Sequence, residues 1–190
     1  MLNYTNRLWQ MLQLNGSVLN ILEHAPELNI SEWYLGAGGI TQTVWNILHG
    51  FAPDYGINDY DLVYWDSNTS AEAEIEVISR GKIIFRDITA PLDIVNEARV
   101  HIWYEKEFGR HIRQYSSLED AISTWPTTAT SIGVRKAGNS IKVFAPFGLD
   151  DLFNLVVRPN KALITEAIYN QKVDRWRTVW PKLKIINWDE

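Results

Sequence analysis

Cysteine is absent from the 190-residue sequence. The chain therefore has no disulfide framework, no thiolate metal site and no cysteine nucleophile. Its four histidines, at positions 24, 49, 101 and 111, lack the close spacing of a zinc site. No Ser-His-Asp arrangement can be read from the sequence either. Hydrolase and zinc-enzyme functions are therefore poor candidates.

Long apolar runs are also missing, since none approaches the roughly 20 residues that a membrane span requires. Residues 1–13 show no basic region followed by an apolar stretch and a small-residue cleavage site. We therefore expect a cytoplasmic protein with no membrane partner, in keeping with the lack of cysteine. With 46% apolar residues and no repeat or flexible linker, the sequence predicts a single domain over residues 1–190.

Basic residues are scarce outside the last part of the chain, and the formal net charge is −5. Residues 1–157 carry 11 basic and 19 acidic side chains, whereas residues 158–184 carry seven and two. Binding to duplex DNA depends largely on basic surface that neutralises phosphates, so duplex DNA is not an expected partner. The basic segment either holds an anion or solvates one face of a helix, and the sequence leaves both alternatives open.

Hydrophobic spacing alternates between periods typical of helices and of strands, which predicts an α+β fold. A helix should begin at the glycine-rich residues 36–39, because Val44, Ile47, Leu48 and Phe51 follow at helical spacing. A short strand over 92–95 should lead into another helix. The other predicted helices cover residues 2–23 (one kinked or two short), 117–122, a short stretch from 150, and 162–180. The other predicted strands cover residues 59–66, 72–77 and 82–86, with a hairpin over 131–145.

Two carboxylates open the predicted strand 59–66. Asp59 and Asp61 are two residues apart, so they should share one face at a separation of about 6 to 7 Å. Because like charges at that distance repel, the pair favours a hard divalent cation such as Mg²⁺, with Mn²⁺ as an alternative. Asp93 on the strand over 92–95 is a third candidate. Three carboxylates can hold one or two ions, and a pair of ions can stabilise the attacking and leaving oxygens of a nucleotidyl transfer.

The glycine-rich turn fits the same chemistry. Gly38 and Gly39 would let a triphosphate approach the backbone closely. The first free N–H groups of the following helix, together with its dipole, favour an anion there. A tight turn without a ligand is the alternative interpretation.

The order of these features resembles the DNA polymerase β-like nucleotidyltransferase superfamily. Four segments, 33–38, 96–104, 145–148 and 157–160, further resemble a bacterial nucleotidyltransferase-like family once described as a domain of unknown function. The resemblance covers roughly residues 30–185. It implies an α+β fold with a polymerase β-like core, in which a mixed β-sheet has flanking helices and additional N- and C-terminal helices.

The resemblance also assigns residues. It implies that Asp59, Asp61 and Asp93 hold the metal and act in catalysis, and that Gly38 and Gly39 contact phosphate. Two departures stand out in this sequence. The superfamily often has a serine after the second glycine, whereas Ile40 follows here, so that hydrogen bond is missing or comes from Thr41. The interval from Gly39 to Asp59 is also long, which implies a longer helix or an inserted loop over 49–58.

Other polar residues are secondary candidates. Arg99 and His101 follow Asp93 and are candidates to face the triphosphate or an acceptor, with a surface salt bridge and a buried histidine as the alternatives. Arg158 and Lys161 are candidates to clamp phosphate, since arginine suits bidentate anion contacts. The remaining candidates are Arg80, Lys82 and Arg86, to offset the acidic charge, and Trp65, to stack on a base.

Together these features predict a Mg²⁺-dependent nucleotidyltransferase. It would move a nucleoside monophosphate from a nucleoside triphosphate to an acceptor and release pyrophosphate. The acceptor would be a small molecule, a protein or a small RNA. Arg99, Arg158 and Thr41 would join Gly38 and Gly39 in binding the nucleotide. The alternative is a nucleotide-binding or regulatory module on the same fold that has lost transfer.

Overall fold

The computed structural model describes residues 4–190, so the predicted helix start at Leu2 lies outside the described part. The helices are α1 (Tyr4–Leu12), α2 (Gly16–His24), α3 (Ala37–His49), α4 (Ala71–Ile84), α5 (Val100–Phe108), α6 (Leu118–Ile122), α7 (Asp150–Phe153) and α8 (Glu166–Val179). The strands are β1 (Trp33–Gly36), β2 (Tyr60–Tyr64), β3 (Leu92–Asn96), β4 (Gly133–Ala137), β5 (Ser140–Phe144), β6 (Val156–Val157) and β7 (Lys184–Ile185). Single 3-10 turns cover Ala25–Leu28 and Glu97–Arg99.

Five strands form the main sheet in the order β3-β2-β1-β4-β5. Strands β2 and β3 are parallel, while β1 pairs antiparallel with both β2 and β4, and β4 pairs antiparallel with β5. A separate two-stranded parallel sheet joins β6 and β7. The α+β class, the mixed sheet and the additional terminal helices expected from the resemblance are therefore confirmed.

The two strands predicted over 72–77 and 82–86 are wrong, because residues 71–84 form the helix α4 and residues 85 and 86 the turn that follows it. Ser70 caps this helix by accepting a hydrogen bond from the Ala73 N–H, and two glutamates in the first turn face the positive end of the helix dipole. A helix is needed here because parallel neighbours such as β2 and β3 require a crossover connection. The alternation of glutamates with apolar residues misled the prediction, since Ile75 and Ile83 are exposed.

A buried polar contact holds the N-terminal helices against the sheet. The side-chain oxygen of Asn15 caps α2, and its Nδ2 donates to Thr43 Oγ1 at 2.8 Å and to the Tyr60 hydroxyl at 3.2 Å. One side chain thus connects α2, α3 and β2. This contact fixes the start of β2 at Tyr60, so Asp61 lies on the strand while Asp59, predicted to open it, comes immediately before it.

The long interval between α3 and β2 is a loop tied to α3, as the departure from the superfamily pattern implied. Asn46 Nδ2 donates to the carbonyl oxygens of Pro53 and Tyr55, at 3.0 and 2.8 Å. Its Oδ1 accepts from Trp180 Nε1 at 2.6 Å, so the C-terminal segment is held at the same point. Within residues 4–190 no helix is long and apolar enough to cross a membrane.

Candidate active site

The acidic residues and the glycine-rich turn meet at one end of the sheet. In the parallel register of β2 and β3, Asp61 lies opposite Asp93. In the antiparallel register of β1 and β2, Asp61 lies opposite Gly36, the residue before the turn into α3. Residues far apart in sequence are thus brought together by backbone pairing alone.

A cavity of about 760 Å³ opens beside these residues. Its size is typical of small-molecule and cofactor sites. Asp59, Asp61 and Glu97 supply acidic groups to its wall, and α8 supplies Lys172 and Arg175. Its aromatic wall residues are Trp103, Tyr104, Phe108, Tyr115, Trp125 and Trp176. A smaller cavity of about 400 Å³ lies between α4 and the start of β3, away from these acidic residues.

Asp93 is placed differently from the other two predicted aspartates. It pairs in register with Asp61 on the edge strand β3, and it is exposed rather than part of the cavity wall. Its charge nevertheless acts on Asp61. Asp61 therefore lies near both of the other aspartates, with Asp93 at the solvent-facing side.

Burial and neighbouring charges both disfavour the ionised form of Asp61. Burial, followed by the charges of Asp59 and Asp93, raises the pKa of Asp61 to about 7, while Lys172 opposes the shift. Burial and the neighbouring Asp61 likewise raise the pKa of Glu97 to about 8. Without a cation both carboxyl groups are therefore hard to ionise, and a bound cation would favour their charged forms.

Glu97 is a fourth carboxyl group that the sequence analysis did not single out. It is only 6% exposed, lines the cavity and shares a hydrogen bond with the Trp125 side chain. It stands directly after β3, where Asn96 caps the 3-10 turn by accepting from the Ala98 N–H. The sequence analysis places residues after 95 in a helix, where Glu97 is expected to be one more charged residue on the helix surface. The sequence pattern therefore gives no sign that Glu97 is buried at the cavity.

An ion pair that is largely buried holds this turn in place. Arg99 binds Glu74 of α4, and its Nε donates to the Thr69 carbonyl oxygen at 2.9 Å. The other carboxylate oxygen of Glu74 accepts from the Asn96 N–H at 3.0 Å. The prediction that Arg99 binds the nucleotide is therefore corrected. The guanidinium of Arg99 holds the turn after β3 against α4, and Arg99 does not line the cavity.

The glycine-rich turn has different roles for its members. Ala37 takes the left-handed backbone conformation, with φ 47°, and its N–H donates to the Ile132 carbonyl oxygen at 3.1 Å. Gly38 lines the cavity, as a phosphate-contacting residue would. Gly39 is buried, and a Cβ there would lie 2.5 Å from Cδ1 of Tyr60. The second glycine is thus required for close packing of α3 on β2 and does not face the cavity.

Thr41 does not provide the hydrogen bond that Ile40 lacks. It is completely buried, and its hydroxyl donates to the Ala129 carbonyl oxygen at 3.0 Å. Gln42, the next residue along α3, lines the cavity instead, and its buried Oε1 has no hydrogen-bond partner among the described residues. Successive residues of an α-helix point about 100° apart around its axis, so Gln42 faces the cavity while Thr41 faces the protein interior.

The basic C-terminal segment reaches the cavity through α8. The positive charge of Lys172 opposes the raised pKa of Asp61. Arg175 Nη2 donates to the Gly56 carbonyl oxygen at 2.9 Å. Arg158, predicted as a phosphate ligand, instead pairs with Asp151 at 3.3 Å outside the cavity. Lys161 Nζ lies 5.3 Å from the ring centre of Trp188.

The remaining secondary candidates also lie elsewhere. Arg80 is on α4 and contacts Glu76 and the Leu28 carbonyl oxygen. Lys82 and Arg86 line the smaller cavity, and Trp65 packs in a hydrophobic cluster with Tyr34 and Val63. His101 is half-buried on α5, outside the cavity wall. The sheet register thus places the strand-borne acids, whereas Arg80 and Arg99 form structural contacts and, within the described part of the chain, only α8 brings basic side chains to the wall of the larger cavity.

The donor set at the acidic end fits a hard divalent ion. Within residues 4–190, no group of three or more Asp, Glu or His side chains is placed so that it could hold a metal ion, so Asp93 does not complete the predicted three-aspartate metal site. Mg²⁺ does not need such a group, because it usually keeps several waters and binds one or two carboxylates together with substrate phosphates. Asp59 and Asp61 offer those carboxylates at the cavity wall, and Asp93 lies beside Asp61 outside it. A cation between Asp59 and Asp61 would offset the burial and the neighbouring charges that raise the pKa of Asp61.

Comparison with known proteins now identifies the family. A nucleotidyltransferase family matches residues 23–185, most of the chain. The chain belongs to this family. The nucleotidyltransferase also resembles a structure solved by NMR and described as a CCA-adding enzyme head domain, with a TM-score of 0.76 and 22% identity over 96% of this chain and 95% of that one.

A second similar structure is described as a tRNA-processing enzyme in an apo form. The TM-score is 0.51 and the identity 16%, over 87% of this nucleotidyltransferase and 44% of that chain. At these identities the two likenesses establish the fold. The comparison with curated proteins gives no significant match.

Proposed function

We propose that this nucleotidyltransferase moves a nucleoside monophosphate from a nucleoside triphosphate to an acceptor hydroxyl, with a divalent ion held by Asp59 and Asp61. The observation that carries the proposal is the strand register that sets Asp61 opposite both Asp93 and Gly36. It joins an acidic cluster to the turn that opens α3. The family match supports transfer as the type of reaction.

The phosphates would lie between the turn and α8. Gly38 offers close approach to the backbone, and Lys172 and Arg175 bring positive charge to the same cavity. These groups would neutralise the β- and γ-phosphates, while the acidic wall faces the α-phosphate. Gln42, whose amide lines the cavity beside the turn, would add a hydrogen bond in place of the missing serine.

The reaction balances without any further reagent. The acceptor oxygen forms a bond to the α-phosphorus, the bond from that phosphorus to the bridging oxygen breaks, and pyrophosphate leaves. A carboxylate oxygen of Asp93 accepts the acceptor's proton, since this side chain adjoins Asp61 and stays open to solvent. A bound divalent ion supplies charge neutralisation on the reacting phosphate. The rest of the catalysis comes from positioning and fixed charge.

Pyrophosphate release tests the proposal. Purified protein is incubated with each labelled nucleoside triphosphate and Mg²⁺ or Mn²⁺, with cell extract as the source of acceptor. We expect release that depends on the divalent ion, and a loss of at least about 100-fold in Asp61→Asn, the range seen when transition-state charge stabilisation is removed. Asp87→Asn, which changes an exposed carboxylate next to the smaller cavity, is the control.

Two results would count against transfer. Unchanged turnover in Asp61→Asn would refute the assignment of the site. Nucleotide that binds but never loses label, with every metal and acceptor tried, would favour a binding or regulatory module instead.

A further inference from the structure

Helix α5 carries an aromatic surface beside the candidate active site. Trp103 is 39% exposed and Phe108 50% exposed, and Tyr104 lies between them. The ring centres of Trp103 and Tyr104 are 6.2 Å apart, and those of Tyr104 and Phe108 are 4.6 Å apart. We call these three residues the α5 aromatic surface. Its rings contact one another, and two of the three side chains are exposed to solvent.

This surface belongs to the same cavity as the acidic and basic groups. All three of its residues line the 760 Å³ space that also contains Asp61 and Lys172. The cavity therefore has an acidic end, a cationic wall and an aromatic wall. A ligand with a polyphosphate and a flat aromatic ring matches that combination.

We propose that the α5 aromatic surface is the platform for the nucleobase of the donor nucleotide, and that it selects purines over pyrimidines by stacking area. The inference rests on the proposed function, which places the phosphates at Gly38 and Lys172. A cavity of this size holds one ligand of cofactor dimensions, so the base on the platform and the phosphates at the acidic end belong to the same molecule.

The chemistry of the platform sets its selectivity. Every base has a π-face, so stacking tolerates any base, and its strength rises with the area of overlap. Exposed aromatic rings in a cavity are also costly to hydrate, and a stacked base would remove them from water. Purines, with two fused rings, cover more of the surface than pyrimidines do. We therefore expect ATP and GTP to bind more tightly than CTP and UTP.

Binding measurements with and without a base test the inference. Dissociation constants for ATP, UTP and inorganic tripolyphosphate are measured by calorimetry with Mg²⁺ present and no acceptor. Trp103→Ala should weaken ATP binding about 5- to 100-fold, the range for losing one stacked base, and leave tripolyphosphate binding unchanged. The preference for ATP over UTP should shrink in the same variant, which general damage to the fold would not produce.

Two variants control the experiment. Trp103→Phe keeps a ring at the position and should retain most of the ATP affinity. Ile102→Ala removes a neighbouring side chain that is 55% exposed on the same helix but does not line the cavity, and it should change none of the three constants.

The outcomes separate the two proposals. If wild-type protein binds ATP no more tightly than tripolyphosphate, or if Trp103→Ala weakens both equally, the platform is refuted while phosphate binding stands. If wild-type protein binds neither ligand, the proposed function fails and the platform fails with it.

Discussion

Replacing Asp61 by Asn should stabilise the metal-free protein, although it should abolish transfer. In the native state Asp61 is partly buried and faces the charges of Asp59 and Asp93, and together these raise its pKa from 3.8 to about 7. In the unfolded chain the same carboxyl group ionises freely. Ionised Asp61 therefore works against folding, and an uncharged amide of the same shape removes that cost.

The sign and size of this stability difference follow from the pKa values of Asp61 in the unfolded and the folded state. Below pH 3.8 the group is protonated in both states, so wild type and Asp61→Asn should have similar free energies of unfolding. As the pH rises from 3.8 to about 7, only the unfolded state loses the proton, and the wild type loses stability relative to the variant. Each pH unit is worth about 1.4 kcal/mol, so the difference should approach about 4 kcal/mol and then level off.

Urea unfolding in the presence of a chelator measures this difference between pH 3.5 and pH 8. Asp87→Asn is the matched control and should show no such trend, because Asp87 is exposed. Excess Mg²⁺ should then stabilise the wild type, as a ligand that binds the native state does, and should leave Asp61→Asn unchanged. A variant that is less stable than wild type at pH 8, or a difference that does not vary with pH, would refute the conclusion that ionised Asp61 is destabilised by its surroundings.

Three further changes test other parts of the structure. Glu74→Ala leaves the largely buried guanidinium of Arg99 without its partner. Urea unfolding should therefore show a free energy of unfolding lower by about 3 to 5 kcal/mol. The control Glu72→Ala, at an exposed position on the same helix, should change that free energy by less than about 0.5 kcal/mol. Lys172→Ala should weaken tripolyphosphate binding about tenfold in calorimetry, because a cation leaves the cavity wall; equal affinity would exclude it from the phosphate site. Arg158→Ala, which breaks only the exposed pair with Asp151, should leave that affinity unchanged, and a loss would reinstate it as a ligand.

Local sequence signals located the elements that matter most for the site. The helix after the glycine-rich turn, the strand that bears Asp61 and the short strand over 92–95 all form close to their predicted bounds, although Asp59 comes just before its strand. Helix α4 was missed, because alternating charge can occur on a helix whose buried face is narrow. There only Val77 and Gly81 are buried, so the apolar signal is too weak to show the helical period.

The sequence by itself determined the strand that bears Asp61, the turn before α3 and the family resemblance, because each depends on residues close together in the chain. Only the tertiary structure decided which polar groups meet. Glu97, Gln42 and Lys172 come to the cavity from three separate elements, while Arg99 and Thr41 are turned to structural partners. The physical reason is that the direction of a side chain depends on strand register and on its rotation around the helix axis. A charged side chain then pairs with the partner that the fold brings within contact distance.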